Sequence, residues 1–343
     1  MLRVLLTATT FVFSLLSSRV LADFEPQWKP TLSVAPRSGE IVIDGDLTDP
    51  GWQNAAKADG FAETHPGDQV EPPYPTEVLM TYDESDLYMA FVCHDDPATI
   101  RATVSDRDAI FSNDYVGVIF DTFGDFAWAY EIFFNPFGLQ GDLRMHADGN
   151  EDVSFDLVLF SEGRITNEGY QVEVRIPFRS LRFPNKPEQV WRATFWRNRP
   201  RAARERSSWA AIDRDDGCWM CQWGTITGIS GITPGRNLEI LPSLIGYQTG
   251  SRLDYSNPQS EFSNEDFDGE AALNLKYGLG ADITAEVAIN PDFSQVESDA
   301  EEIDVNNTFT LFYPEKRPFF QRGNDLFATW IDVIYTRSIN DPE

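Results

Sequence analysis

TEVLMTY at residues 76–82, DESD at 83–86 and LYMAFVC at 87–93 form one hairpin pattern, and the fold class follows from it. Val78, Met80 and Tyr82 fall on one face of the outgoing strand, because side chains alternate with a period of two along extended backbone. The acidic tetrapeptide supplies the turn and the apolar segment returns. The same pattern repeats outward. YVGVIFD (115–121) and WAYEIFF (128–134) flank a turn at Gly124 and Asp125. VSFDLVLF (153–160) and YQVEVRIPF (170–178) are separated by Gly163 and Gly169. WRATFWRN (191–198) and SSWAAI (207–212) complete the series. Short strands, Gly, Asp and Pro turns, and almost no helical period predict an all-β antiparallel sandwich. A barrel or a mixed α+β domain is also compatible with the strand count.

Toward the N-terminus, IVIDGDLTDPGWQNA (41–55) is a short strand running into an Asp-Gly turn and then a Trp-bearing helical turn. Pro50 suits the first position of that turn and Asp49 its cap. Residues 23–40 are expected to be a leader. Toward the C-terminus, GTITGISGITPGRN (224–237) is rich in Gly and Thr and is expected to be a linker. The sandwich is therefore expected to span 41–228. In LNLKYGLGADITAEVAI (273–289), apolar and polar residues alternate on both sides of a Gly-containing turn, and LEILPSLIGYQ (238–248) gives a weaker version. Such strands are the signature of a membrane β-barrel, although an amphipathic hairpin in any sheet looks the same. Only about 106 residues follow residue 237, room for four to six strands where the smallest membrane barrels need eight. The expectation for 229–343 is the N-terminal part of a barrel in a chain that is a fragment.

The chain carries 27 Lys and Arg against 55 Asp and Glu, a formal charge of −28. Phosphate neutralisation needs clustered Lys and Arg, so no nucleic-acid partner is expected. The charge suits a surface facing water, divalent cations or neutral ligands such as sugars, or the habit of a salt-adapted proteome. Arg3, the apolar run at 4–16, and Val20 and Ala22 at the −3 and −1 positions compose an export signal cleaved after Ala22. The apolar run is too short for a spanning helix. An exported chain belongs to the cell envelope. There a local disulfide is the expected state of Cys218 and Cys221. A redox motif would want a βαβ context, and a zinc site would want a second ligand pair. Cys93 is expected as a buried thiol in a strand.

The segment IDGDLTDPGW (43–52) resembles the opening of the family 9 carbohydrate-binding modules. TYDESDLYMAF (81–91), DYVGVIFDT (114–122), YEIFFNPFGLQGD (130–142) and VEVRIPFRSLRF (172–183) continue that resemblance in order. It implies a jelly-roll-like sandwich that binds a saccharide between tryptophans, with structural calcium as a cofactor. EILPSL (239–244), NPDFSQVESD (290–299), FYPEKRPFF (312–320) and IYTRSI (334–339) resemble segments of an uncharacterised family. In that family a family 9-like module precedes a predicted outer-membrane β-barrel. The outer membrane is the implied second partner.

Sugar binding needs aromatic faces beside planar polar groups. Trp128, Tyr130, Trp191, Trp196 and Trp209 are the aromatic candidates, with Arg197, Asn198 and Arg199 next to Trp196. Of these, Trp128, Tyr130, Trp196, Arg197 and Arg199 are the expected binding set, although tryptophan in a sandwich strand is commonly core. Asp95, Asp96, Asp106 and Asp108 are the expected calcium ligands, with solvated turn acids as the plainer alternative. No motif for a catalytic serine, a zinc protease or a phosphate cradle occurs. Three functions stand open: saccharide binding in support of carbohydrate catabolism; hydrolysis of O-glycosyl bonds, or service to such a hydrolase; and a structural or transport barrel whose sandwich binds nothing.

Overall fold

The computed structural model describes residues 24–290, apart from 148, 154, 236, 237, 249, 255, 258, 265 and 279–283, together with 311–312 and 338–339. The expected export signal (1–22) and most of the C-terminal family-like segments lie outside the described residues. In chain order the strands are β1 (Thr31–Ser33), β2 (Ala56–Ala58), β3 (Ala62–His65), β4 (Thr76–Tyr82), β5 (Asp86–His94), β6 (Tyr115–Asp121) and β7 (Trp128–Phe134). They continue as β8 (Gln140–His146), β9 (Glu151–Asp152), β10 (Phe160–Thr166), β11 (Gly169–Pro177), β12 (Glu188–Pro200), β13 (Arg204–Ser208) and β14 (Gly224–Ser230). Beyond them lie β15 (Glu239–Tyr247), β16 (Gly250–Arg252), β17 (Phe262–Asn264), β18 (Asp268–Gly278), β19 (Thr284–Ile289), β20 (Leu311–Phe312) and β21 (Ser338–Ile339).

The larger sheet has the order β1-β14-β12-β6-β7-β8-β9, with β13 joining β12 to β3; the smaller has the order β10-β11-β5-β4-β2. Their inner faces interdigitate. Val78, Met80, Phe91 and Val174 from the smaller sheet share one core with Val118, Ile132, Trp191 and Phe195 from the larger. Phe91 spans the layers, 6.1 Å from Phe134 and 6.2 Å from Phe195. This is a β-sandwich, whose core depends on both sheets.

The strands of the opening hairpin, β6, β7, β11 and β12 lie where the alternation predicts. Four expectations are corrected. Residues 23–40 are not a free leader: β1 pairs in parallel with β14, and Leu32 and Val34 enter the core. Residues 224–230 of the linker expected at 224–237 are instead β14, paired with both β1 and β12, with Ile226 and Ile229 buried, as is Ile232 beyond it. Its glycines serve close approach. A Cβ on Gly224 would stand 2.6 Å from the Trp209 ring, and Gly228 has φ +85° with the Val34 carbonyl against it. Described residues 155–159 form no strand; β10 starts at Phe160, and β8 supplies the neighbour of β7 that was not expected. Residues 209–212 leave β13 and cover the larger sheet.

The Trp-bearing turn Pro50–Trp52 is a 3-10 turn, and the Asp49 carboxylate accepts from the Val42 amide (2.7 Å) rather than capping it. Glu173 explains the surrounding motif. Its buried carboxylate accepts from the Asp44 amide (3.0 Å), the Gly45 amide (2.8 Å) and the Trp52 indole (2.8 Å). Gly45 has φ +80°, a conformation that glycine adopts without strain. One acid on β11 thus fastens the 43–52 segment over the outer face of the smaller sheet.

After residue 238, β15, β18 and β19 form a separate three-stranded antiparallel sheet. No closed barrel occurs among the described residues. Register places Ile240 and Leu244 of β15, Leu273 and Leu275 of β18, and Val287 and Ile289 of β19 on one face. Leu244 is 85% exposed and Ile289 55% exposed, so much of that face is open, with the Phe267 ring lying against Gly246 at one end. On the other face β18 and β19 carry Glu270, Asn274 and Glu286. β15 is less clean, because Leu241 and Ile245 share that polar face. No described helix is long and apolar enough to cross a membrane.

Candidate functional site

Strand pleating sorts the sequence candidates, because neighbouring residues point to opposite faces. In β12, Trp191, Ala193 and Phe195 face the inner core, so Arg197 and Arg199 follow them inward while Trp196 and Asn198 face out. In β7, Tyr130, Ile132 and Phe134 face in, and Ala129, Glu131 and Phe133 face out.

Three members of the expected binding set are therefore interior. Tyr130 is a core residue, 2% exposed, whose hydroxyl oxygen accepts from the Arg182 amide at 2.8 Å. Arg197 is 1% exposed and donates to the Asp95 carboxylate (2.9 Å), the His94 carbonyl (2.7 Å) and the Thr76 hydroxyl (3.0 Å). Arg199 grips both oxygens of Asp95, at 2.7 and 2.8 Å, and also pairs with Glu205. Trp128 is partly buried and packs edge-on against Tyr130 at 4.7 Å. Trp191 and Trp209 are core. Trp196 alone of the expected set lies on the outer face of the larger sheet, partly exposed.

The expected calcium ligands do not gather. Asp95 is enclosed by guanidinium groups from Arg197, Arg199 and Arg201. Burial alone would raise its pKa; the Arg199 hydrogen bond and the three positive charges hold it below the ordinary range. Asp96 caps the short turn Pro97–Thr99 by accepting from the Ala98 amide, Asp106 is exposed, and Asp108 accepts from the Asp142 amide. A carboxylate saturated by arginines has no lone pairs left for a cation. Among the described residues no group of three His, Cys, Asp or Glu could hold a metal. Cys218 and Cys221 are joined as a disulfide, and Cys93 is a buried free thiol.

The outer face of the larger sheet does gather chemistry. Trp196 lies opposite Gly117, and Gly117 lies opposite Phe133, so a strip of rings crosses β12, β6 and β7. A Cβ on Gly117 would stand 2.7 Å from the Phe133 ring, so glycine lets that ring lie across β6. Tyr115 packs 5.3 Å from Phe133 and 5.6 Å from Phe111. At the other end Trp219 stands edge-on to Trp196 at 6.3 Å and to Trp223 at 4.9 Å. The disulfide closes the loop that carries Trp219. Ile110, Ile212, Met220 and Trp223 cover part of the strip as a small second core; Trp196, Trp219, Tyr115 and Phe111 form its accessible rim.

Two polar groups interrupt this strip. Glu131 is 5% exposed, and among the described residues nothing hydrogen-bonds or pairs with its carboxyl group. Burial first, and the Glu151 charge second, push its pKa up to about 8. Asn198 is fully buried, and both its amide nitrogen and oxygen lack partners. Burial likewise raises the Tyr115 hydroxyl, against the nearby charges of Arg206 and Arg204. Buried polar groups are nearly always paired; the Asn198 amide and the Trp223 indole nitrogen on this face are not, and with the accessible aromatic rim they make it the candidate site. Sequence reasoning missed Glu131, Tyr115, Phe133 and Trp219. The available signal was WAYEIFF itself, where one acid interrupts a strand apolar on both faces.

Comparisons with known proteins add the following. A family model described as Domain of unknown function (DUF5916) matches residues 244–342. No curated protein matches. Among solved structures, the chain is similar to a carbohydrate binding module family 9 from Caldicellulosiruptor kristjanssonii in complex with cellotriose. That match has 17% identity, covers 60% of this chain and 95% of that one, and has a TM-score of 0.42. A Bacteroides uniformis protein described as a candidate carbohydrate-binding protein matches at 11% identity, over 58% of this chain and 98% of that one, with a TM-score of 0.47.

Proposed function

We propose that the sandwich is a saccharide-binding module and that its ligand lies on the outer face of the larger sheet. One observation carries this reading. Partly exposed Trp196 and Trp219 lie on the same face of the larger sheet as buried Glu131 and as Asn198, whose side-chain amide lacks a partner. Aromatic faces accept the apolar C–H side of a sugar ring, and unpaired acid and amide groups match its hydroxyls. The resemblance of the 41–228 segments to family 9 modules supports the same class. Titration of the full chain against a glycan array tests it. Trp196→Ala should weaken binding about tenfold or more, the scale of losing an aromatic anchor. Absence of binding to every saccharide, or unchanged binding by that variant, overturns the reading. Reducing-sugar release by the same preparation would favour a hydrolase instead; we expect none.

A second observation favours a membrane role for the remainder. The one-sided apolar face of β15, β18 and β19 supports the reading of these strands as wall of an outer-membrane barrel, in an exported envelope protein. Lipid would cover Leu244, Val287 and Ile289. Heat-modifiable migration of the full-length protein in detergent tests this; migration unaffected by heating counts against it.

A further inference from the structure

The outer face of the larger sheet carries positive charge at one end. Asn198 of β12 lies opposite Tyr115 of β6 on one side and opposite Arg206 of β13 on the other, and Pro200 lies opposite Arg204. Directly opposed residues share a face, so Tyr115, Asn198, Arg206 and Arg204 lie on the face that carries Trp196. Trp196 itself lies opposite Gly117 and Ser208, which makes Tyr115 and Arg206 its diagonal neighbours. Such neighbours stand about 7–8 Å apart, within reach of aromatic and long side chains. Arg206 is half-buried and Arg204 exposed.

The pleat also takes the nearest acid away from these two arginines. Glu205, between them, turns to the other face and pairs with Arg199. Arg197, Arg199 and Arg201 all pair with Asp95, whereas no carboxylate among the described residues pairs with Arg204 or Arg206. That is an unexpected state in a chain with 55 acids to 27 bases. Asn198, in the row between Tyr115 and Arg206, is fully buried with both its amide nitrogen and oxygen unpartnered. Burial is the first influence on the Tyr115 hydroxyl; the Arg206 and Arg204 charges come next, ahead of Glu131 and Glu151.

We propose that this face takes an acidic saccharide, with a sugar ring on Trp196 and the carboxylate or sulfate of the sugar on Arg206. The inference rests on the saccharide reading above and names the class of ligand. A guanidinium presents parallel N–H donors to two oxygens of one anionic group, a match that a neutral sugar cannot make. Arg204 adds a second positive charge, and Asn198 keeps a donor and an acceptor for a hydroxyl that reaches its row. The net charge of −28 repels an anion at long range, but at physiological salt that field is screened beyond about 8 Å, so the adjacent arginines decide.

A glycan array of neutral, uronate-bearing and sulfated saccharides, probed with the full chain and followed by calorimetry, tests this. Acidic members should bind at least about tenfold more tightly than neutral ones of equal length, the scale of one charge-assisted hydrogen bond. Binding of either the uronate or the sulfate series supports the proposal and identifies the anion. Added salt should weaken that binding. Arg206→Gln should lose the preference for acidic members and the salt dependence, with thermal unfolding like the parent's because no carboxylate loses a partner. If neutral glycans bind and acidic ones bind no better, or if Arg206→Gln binds acidic glycans like the parent, this inference fails and the saccharide reading survives. If nothing on the array binds, both fail together.

Discussion

Asp95 and Glu131 are both buried acids of one sandwich, yet Asp95 meets three guanidinium groups and Glu131 meets none. Asp95 stands at the end of β5, where Arg197, Arg199 and Arg201 arrive from β12 and just beyond it. Arg201 also pairs with Asp114 at 2.9 Å, so the cluster balances its charges inside. Glu131 lies on the opposite side of the same large sheet, among aromatic rings. Burial raises the pKa of either acid by itself; only partners decide the outcome, lowering Asp95 and leaving Glu131 raised. The first region uses its acid to join two sheets. The second leaves its acid without an ion-pair partner among the described residues.

The largest effect expected from breaking this contrast is at Asp95. Asp95→Ala leaves buried arginines without a counter-charge, a loss of about 3–5 kcal/mol by urea denaturation. Glu173→Leu comes next, since it strands the amides of Asp44 and Gly45 and the Trp52 indole. A loss of about 2–3 kcal/mol is expected, with a change in tryptophan fluorescence as the 43–52 segment loosens. Glu131→Leu should go the other way, gaining about 1 kcal/mol, because it replaces an unpaired polar group by an apolar one in apolar surroundings. A loss comparable to the Asp95 variant would mean that Glu131 has structural partners after all.

The remaining effect is a slope across pH. Glu131 titrates in the unfolded chain near its ordinary 4.5 and in the fold at about 8, so the fold binds the extra proton between those values. Stability from this group is therefore present below about pH 4.5 and declines as pH rises toward 8, by up to about 1.4 kcal/mol per pH unit. Asp95, held low, has the reverse sign: its contribution is present above the ordinary aspartate range and is lost as pH falls through its depressed value. Thermal unfolding across pH should show the Glu131 decline in the parent chain and not in Glu131→Gln.

Much of the sandwich was legible from alternation. TEVLMTY and LYMAFVC became β4 and β5, with the turn where DESD stands. GTITGIS did not look like a strand, since glycine and threonine are common in linkers; its place between β1 and β12 came from partners nearly 200 residues upstream and about 30 residues upstream. The site was less legible. Trp196, Arg197, Asn198 and Arg199 are adjacent in sequence and suggested one binding cluster, but the pleat divides them between the outer face of the larger sheet and an ion-paired interior.

By itself the sequence determined where the strongly alternating strands and their turns fall, and that two cysteines three apart can join. It could not say which of two alternating sets faces the core. That depends on which distant segment covers each face: Trp52 and Glu173, 121 residues apart, meet because the 43–52 segment folds over the outer face of the smaller sheet. The tertiary structure alone decided that Arg197 turns inward to Asp95 while Trp196 turns outward, and that Glu131 is buried without a partner. Period-two geometry fixes the relation between neighbours, whereas burial is a property of the whole packed sandwich.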